Sequence, residues 1–89
     1  MTTNEVANIL IKLCEEGKFI QAQEELYHNK ITSIETDRSK TTGASNMLAK
    51  ERRFLDNVKK INFVKCSEPL TAGNYFTIVM QMSLELKNN

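Results

Sequence analysis

The sequence predicts an α+β domain whose helices cover the apolar face of a curved antiparallel sheet. Three observations carry this. Three segments repeat their apolar residues at helical spacing, and the stretch from Tyr75 to Lys87 instead alternates. There Phe76, Ile78, Met80, Met82, Leu84 and Leu86 fall on one side. Tyr75, Thr77, Gln81, Ser83, Glu85 and Lys87 fall on the other, with Val79 breaking the polar set. Period two marks a half-buried strand, and at ~3.3 Å per residue this one would span ~43 Å, so it must bend around what it covers. The third observation is the order of elements: helix, helix, strand, helix, strand, strand, which is not a βαβ repeat.

The first helix opens on Thr2, with Glu5 at capping-box spacing. Val6, Ile9, Leu10, Leu13 and Cys14 form its core-facing stripe. Gly17 ends it, because glycine takes the left-handed conformation without a Cβ clash. Phe19 opens a second helix, with Phe19, Ala22, Leu26 and Tyr27 inward and Gln21, Gln23, Glu24 and Glu25 facing water. So short a turn places the two helices as a corner or hairpin.

Lys30 to Thr36 is rich in β-branched residues and reads as a strand. Ile31 and Ile34 fall on opposite faces of it, so either both faces are partly covered or a bulge shifts the register. Asp37 to Gly43 reads as a loop. Ala44 to Ile61 reads as the third helix, with Met47, Leu48, Phe54, Leu55, Val58 and Ile61 as its stripe and Glu51 interrupting it. Asn62 to Glu68 is the next strand, ended by Pro69, which cannot donate to a ladder. Leu70 to Asn74 is a turn on Gly73, and the last two strands are expected to form an antiparallel hairpin.

Composition sets the class. Eighty-nine residues, 40% hydrophobic and 26% charged, make one ordered domain. Twelve basic and eleven acidic residues nearly cancel, which argues against a nucleic-acid or anionic-membrane partner. No apolar run is long enough to span a membrane. Met1 to Glu5 carries no basic n-region, so no signal peptide is expected. Cys14 and Cys66 lie far apart in apolar-periodic segments and read as free thiols, as in a cytoplasmic protein.

Several stretches together resemble SnoaL-like proteins of the nuclear transport factor 2-like superfamily. They are Leu13-Cys14-Glu15-Glu16-Gly17-Lys18-Phe19, Ala22, Glu25-Leu26-Tyr27, Ile31 to Glu35, Gly43-Ala44, and Pro69-Leu70-Thr71-Ala72-Gly73-Asn74-Tyr75-Phe76. The likeness runs nearly the whole chain. It implies a cone: three helices in the concavity of a strongly bent antiparallel sheet, with a pocket at the open end. It also implies a homodimer, and relatives that include small-molecule isomerases, polyketide cyclases and dehydratases. The long last strand, with its open edge, points to pairing of two copies through the sheet, and catalysis, if present, is expected to be proton transfer without a cofactor. Family members usually continue with two further strands, and these often supply an acid–base carboxylate. Nothing here matches that segment, so residues 1–89 read as a domain truncated at its C-terminus, and family chemistry cannot be carried over residue by residue. Members also often carry aromatic residues, tryptophan included, in helix three, where this chain offers Phe54 and Leu55.

Candidate residues follow from chemistry and from this likeness. Glu35 is the expected base if it is buried, with Asp37 near enough to share its rim and Tyr27 or His28 assisting. His28, the single histidine, ends the second helix, where an imidazolium interacts favourably with the helix dipole. Tyr27, Glu35, Met47, Phe54, Tyr75 and Met80 are the expected ligand contacts. One histidine and two distant cysteines give no metal site. The basic residues of helix three, Lys50, Arg52, Arg53, Lys59 and Lys60, read as a solvated face. The sequence-level expectation is a SnoaL-like small-molecule-binding protein with an apolar pocket. The alternative is a non-catalytic interaction or dimerisation module.

Overall fold

The computed structural model describes residues 1–87, so the last two residues of the domain expected over 1–89 lie outside the described part. The order of elements is α1 (Thr3–Glu15), α2 (Phe19–Leu26), β1 (Thr32–Ile34), β2 (Lys40–Thr42), α3 (Ala44–Asp56), β3 (Val58–Cys66), β4 (Leu70–Ala72), β5 (Tyr75–Thr77) and β6 (Met80–Leu86). The class is α+β, with three helices on antiparallel strands.

Both ends of α1 form as the residues dictate. Thr2 Oγ1 accepts from Glu5 N–H at 3.1 Å, and Thr2 N–H donates to Glu5 Oε1 at 3.2 Å, which closes the capping box. At the other end Lys18 N–H donates to Leu13 O at 2.8 Å and Gly17 N–H to Cys14 O at 3.0 Å. These are the two bonds of a Schellman motif, and Gly17 holds the required positive φ of 76°. The tight turn brings α2 back against α1. Ala7, Leu13, Cys14, Phe19, Ala22 and Met47 form the buried core between the helices and the strands.

The strands form a long ribbon with a kink. β3 pairs antiparallel with β6, from Val58 opposite Leu86 to Cys66 opposite Met80. β4 pairs with β5 beyond them and closes at the two-residue turn Gly73-Asn74. The ribbon lies along α1. Thr3 Oγ1 donates to Gly73 O at 2.8 Å near the tip, and Cys66 N–H donates to Glu15 Oε2 at 2.9 Å near the kink.

Four expectations change. The Tyr75–Lys87 strand is two strands, β5 and β6, parted at Ile78-Val79. Ser67 N–H donates to Val79 O and Val79 N–H to Ser67 Oγ, both at 2.9 Å, so a side chain stands in for the ladder where Pro69 has no N–H. The side-chain faces survive: Val64, Met82, Cys66 and Met80 are directly opposed pairs on one face. Second, Leu70 to Ala72 is a strand and not a turn, so the expected simple hairpin is extended by a second pair.

Third, α3 stops at Asp56. Val58 to Ile61 keeps a helical spacing of apolar residues yet joins β3, because the Leu84 and Leu86 side of β6 supplies a ladder there. Lys87 N–H closes that end on Asn57 O at 2.9 Å. Fourth, the expected loop contains β2, paired with a β1 shorter than the predicted strand. The turn between them is built by Asp37, whose Oδ1 accepts from Ser39 N–H at 2.9 Å, and by Arg38 at φ 72°. The last loop before α3 is anchored to the segment that follows α2. Ala44 N–H donates to Asn29 O at 3.0 Å, which satisfies an orphan donor at an α3 N-terminus that has no side-chain cap.

Candidate ligand cavity

α1, α2, α3 and the concave side of β6 enclose a cavity of about 370 Å³ that opens to solvent. Its apolar wall is Leu10, Cys14, Phe19, Ala22, Phe54, Met80 and Met82, and its polar groups are Gln23, Tyr27, Lys50 and Glu51. The opening is apolar, since Phe54 and Met82 are 42% and 47% exposed. A mainly apolar cleft with a few convergent polar groups is the usual form of a small-molecule site.

Of the expected contacts, Tyr27, Phe54 and Met80 line this cavity. Met47 does not: it is buried in the core beneath α3. Tyr75 does not either, being 81% exposed on β5 in the outer part of the ribbon. Glu35 lies outside as well. It ends β1 on the surface, and its Oε1 is ion-paired with Lys50 Nζ. The burial that would make Glu35 a base is therefore absent. Asp37 is spent on its own turn, where the hydrogen bonds from Ser39 hold its carboxyl below the usual carboxylate range.

His28 is exposed just beyond α2, and its Nδ1 accepts from Lys30 N–H at 3.0 Å. That bond shapes the loop after α2, and the ring lies outside the cavity. Lys50 joins the two regions: it lines the cavity rim while pairing with Glu35. Both partners are more than a third exposed, so the pair contributes at most about 1 kcal/mol.

Besides Lys50, expected on a solvated face, the structure places two further polar side chains in the cavity that are not among the expected contacts. Glu51 sits on α3 four residues after Met47 and three before Phe54, on the apolar side of the helix. Its interruption of the helix-three stripe was the visible signal. Gln23 had none, because it falls in a run of polar residues assigned to the wet face of α2. It is 8% exposed, and its Oε1 has no hydrogen-bond partner among the described residues.

The electrostatics follow from enclosure. Burial raises the Glu51 carboxyl above the ordinary 4.5, opposed by the Lys50 ammonium. Burial, then the neighbouring Cys14 and Glu51, raises the Tyr27 phenol above 10.0. Burial first, then Cys66 and Glu51, pushes the Cys14 thiol up to about 11. At neutral pH Cys14 is therefore a protonated thiol and a poor nucleophile. Tyr27 is a neutral phenol able to donate a hydrogen bond. Among the described residues no cluster of three or more histidine, cysteine or acidic side chains is arranged to hold a metal. No helix there is long and apolar enough to cross a membrane.

Three helices over bent antiparallel strands, with such a cavity between the layers, define the nuclear transport factor 2-like architecture of small-molecule-binding domains. The family model of the SnoaL-like domain matches residues 1–89, and the chain belongs to that family. Comparison with curated proteins and with solved structures finds no match.

Proposed function

We propose that this protein binds a small, mainly apolar molecule in the helix–ribbon cavity and carries out proton transfer on it without a cofactor. The observation that carries the reading is Glu51: a carboxylate set in an apolar wall, with its pKa raised, beside the neutral phenol of Tyr27. In this chemistry Glu51 takes a proton from a carbon next to a carbonyl. Tyr27 donates a hydrogen bond to the enolate oxygen that forms, and Glu51 returns the proton at the product position. Glu51 thus replaces Glu35 as the base. The free thiols of Cys14 and Cys66 support a reducing, cytoplasmic setting.

The test is a thermal-shift screen of small carbonyl compounds, followed by turnover assays on those that bind. A compound at a hundred times its Kd is expected to add about 2.7 kcal/mol of stability by mass action. Widening Ala22 to Phe, which fills the cavity, is expected to abolish the shift. A shift that persists in Ala22→Phe would place the ligand elsewhere.

A second reading is an association of two copies through the ribbon. Phe63, Leu70, Tyr75 and Val79 are 53%, 75%, 81% and 66% exposed along it. Each ribbon strand also has a single partner among the described residues. Exposed apolar groups on open-edged strands invite pairing with a second chain. Sedimentation equilibrium is expected to give twice the chain mass of 10.2 kDa. A monomer at all concentrations would remove this reading and leave the cavity reading intact.

A further inference from the structure

Two hydrogen-bond acceptors at the cavity have no donor among the described residues. Gln23 is more than nine-tenths buried, lines the cavity, and leaves Oε1 without a partner. Among the described residues, the Glu51 carboxylate has no hydrogen bond or ion pair. The nearest cation, Lys50, lines the same cavity but directs its ammonium to Glu35 at the surface. A buried acceptor with no donor costs stability that a bound partner can recover. Native interiors rarely keep such a group without a use for it.

Of the donors in the wall, the Cys14 thiol is weak, the Lys50 ammonium is held by Glu35, the Tyr27 phenol serves the carbonyl oxygen of the proposed reaction, and the Gln23 amide brings its own N–H2 beside Oε1. An anionic headgroup would meet the Glu51 charge and an unpaired oxygen in a low-dielectric wall, where like charges repel most strongly. A headgroup with N–H or O–H bonds would meet the Glu51 carboxylate directly, and Gln23 Oε1 once the amide turns toward it. The terminal amide torsion of glutamine is soft, so Oε1 can turn toward a donor.

We infer that the cavity takes a non-anionic apolar molecule whose polar headgroup donates hydrogen bonds, an amine or an alcohol, with Gln23 and Glu51 as its acceptors. This rests on the cavity being a ligand site and specifies the class of ligand.

Three probes with one aryl body test it: phenethylamine, phenethyl alcohol and phenylacetate, each titrated into the full chain by calorimetry. The amine and the alcohol are expected to bind at least about tenfold more tightly than phenylacetate, the scale of one hydrogen bond to a buried group. Gln23→Met keeps the shape of the side chain and removes both polar atoms. It is expected to weaken the amine and the alcohol about tenfold and to leave phenylacetate unchanged. Phenethylamine is cationic at neutral pH and is expected to bind more tightly than the alcohol beside the Glu51 carboxylate, an advantage that Glu51→Gln is expected to erase.

Phenylacetate binding as tightly as the amine would overturn the donor inference and leave the cavity reading standing. Absence of binding by all three probes would overturn the donor inference, while the carbonyl-compound screen decides the cavity reading separately. Should Gln23→Met not fold, the ranking of the three probes on the unaltered protein decides the matter alone.

Discussion

Phe19→Ala is expected to cost about 3–5 kcal/mol of folding stability, near the top of the range for a truncated core aromatic. Phe19 is 9% exposed at the first turn of α2, where the Schellman turn at Gly17 sets it against α1. Cost at such a site depends on whether the neighbours can close over the void. Here they cannot. Phe19 already forms part of the wall of a 370 Å³ cavity, together with Cys14 and Ala22. Ala22 is small, and Cys14 is fixed at the end of the α1 stripe, where its carbonyl accepts from Gly17 N–H in the Schellman turn. The lost ring volume merges with the existing space. A domain of this length has roughly 4–13 kcal/mol in total, so the variant retains little of its margin. Urea denaturation of the two proteins measures the difference. A loss below about 1 kcal/mol would mean that α2 repacks over the gap, contrary to the packing described.

The same packing shows what the sequence made visible. Element type was legible wherever a local signal and the tertiary environment agreed. The Thr2–Glu5 capping box and the Gly17 stop are both local, and both form. The faces of the last strand were legible because period-two alternation survives a break in the ladder. Boundaries failed where pairing decided the outcome. Val58 and Ile61 extend the helix-three stripe by spacing, yet opposite Leu86 and Leu84 they complete a ribbon. No local feature of the sequence announces a partner that far along the chain. β2 was hidden for a related reason. Its Lys40-Thr41-Thr42 has no apolar alternation, and it becomes a strand only because the Asp37–Ser39 turn folds it onto β1.

For the cavity, Tyr27, Phe54 and Met80 were named as ligand contacts, and the structure places all three in the wall. Glu35 is the expected base because the family likeness puts a strand end near a pocket. The short β1–β2 hairpin instead carries it to the surface beside Lys50. The better signal was an acidic residue inside an apolar helical stripe. A charge at a core-facing position must be hydrated, paired or used, and Glu51 is neither ion-paired among the described residues nor fully in water. Gln23 was not legible, because a glutamine among glutamines and glutamates on a short helix looks solvated. Only the approach of α1 and α3 on both sides of α2 encloses it.

Glu51→Gln is expected to lower turnover by about 10²–10⁴-fold, the contribution of a positioned general base, while making the protein more stable at neutral pH. The two effects share one cause. In the folded protein the Glu51 carboxyl holds its proton to a higher pH than in the unfolded chain, where its value is near 4.5. Between those two values the folded state binds more protons than the unfolded state. Stability therefore falls as pH rises through that window, and above it the cost of a desolvated carboxylate is carried in full. Below the unfolded value both states are protonated, and the cost is gone. Glutamine has nearly the shape of the protonated acid and never ionises. The variant should thus exceed the parent in stability at neutral pH and lose that advantage as pH falls toward 4.5. Paired denaturation curves across the acid-to-neutral range test the stability half, and turnover of a bound carbonyl compound tests the other. A variant that is less stable at neutral pH would mean that Glu51 has a stabilising partner in the folded protein, which removes the case for a strained, desolvated base. A variant that keeps full turnover would take proton transfer away from Glu51 and leave the cavity as a binding site alone.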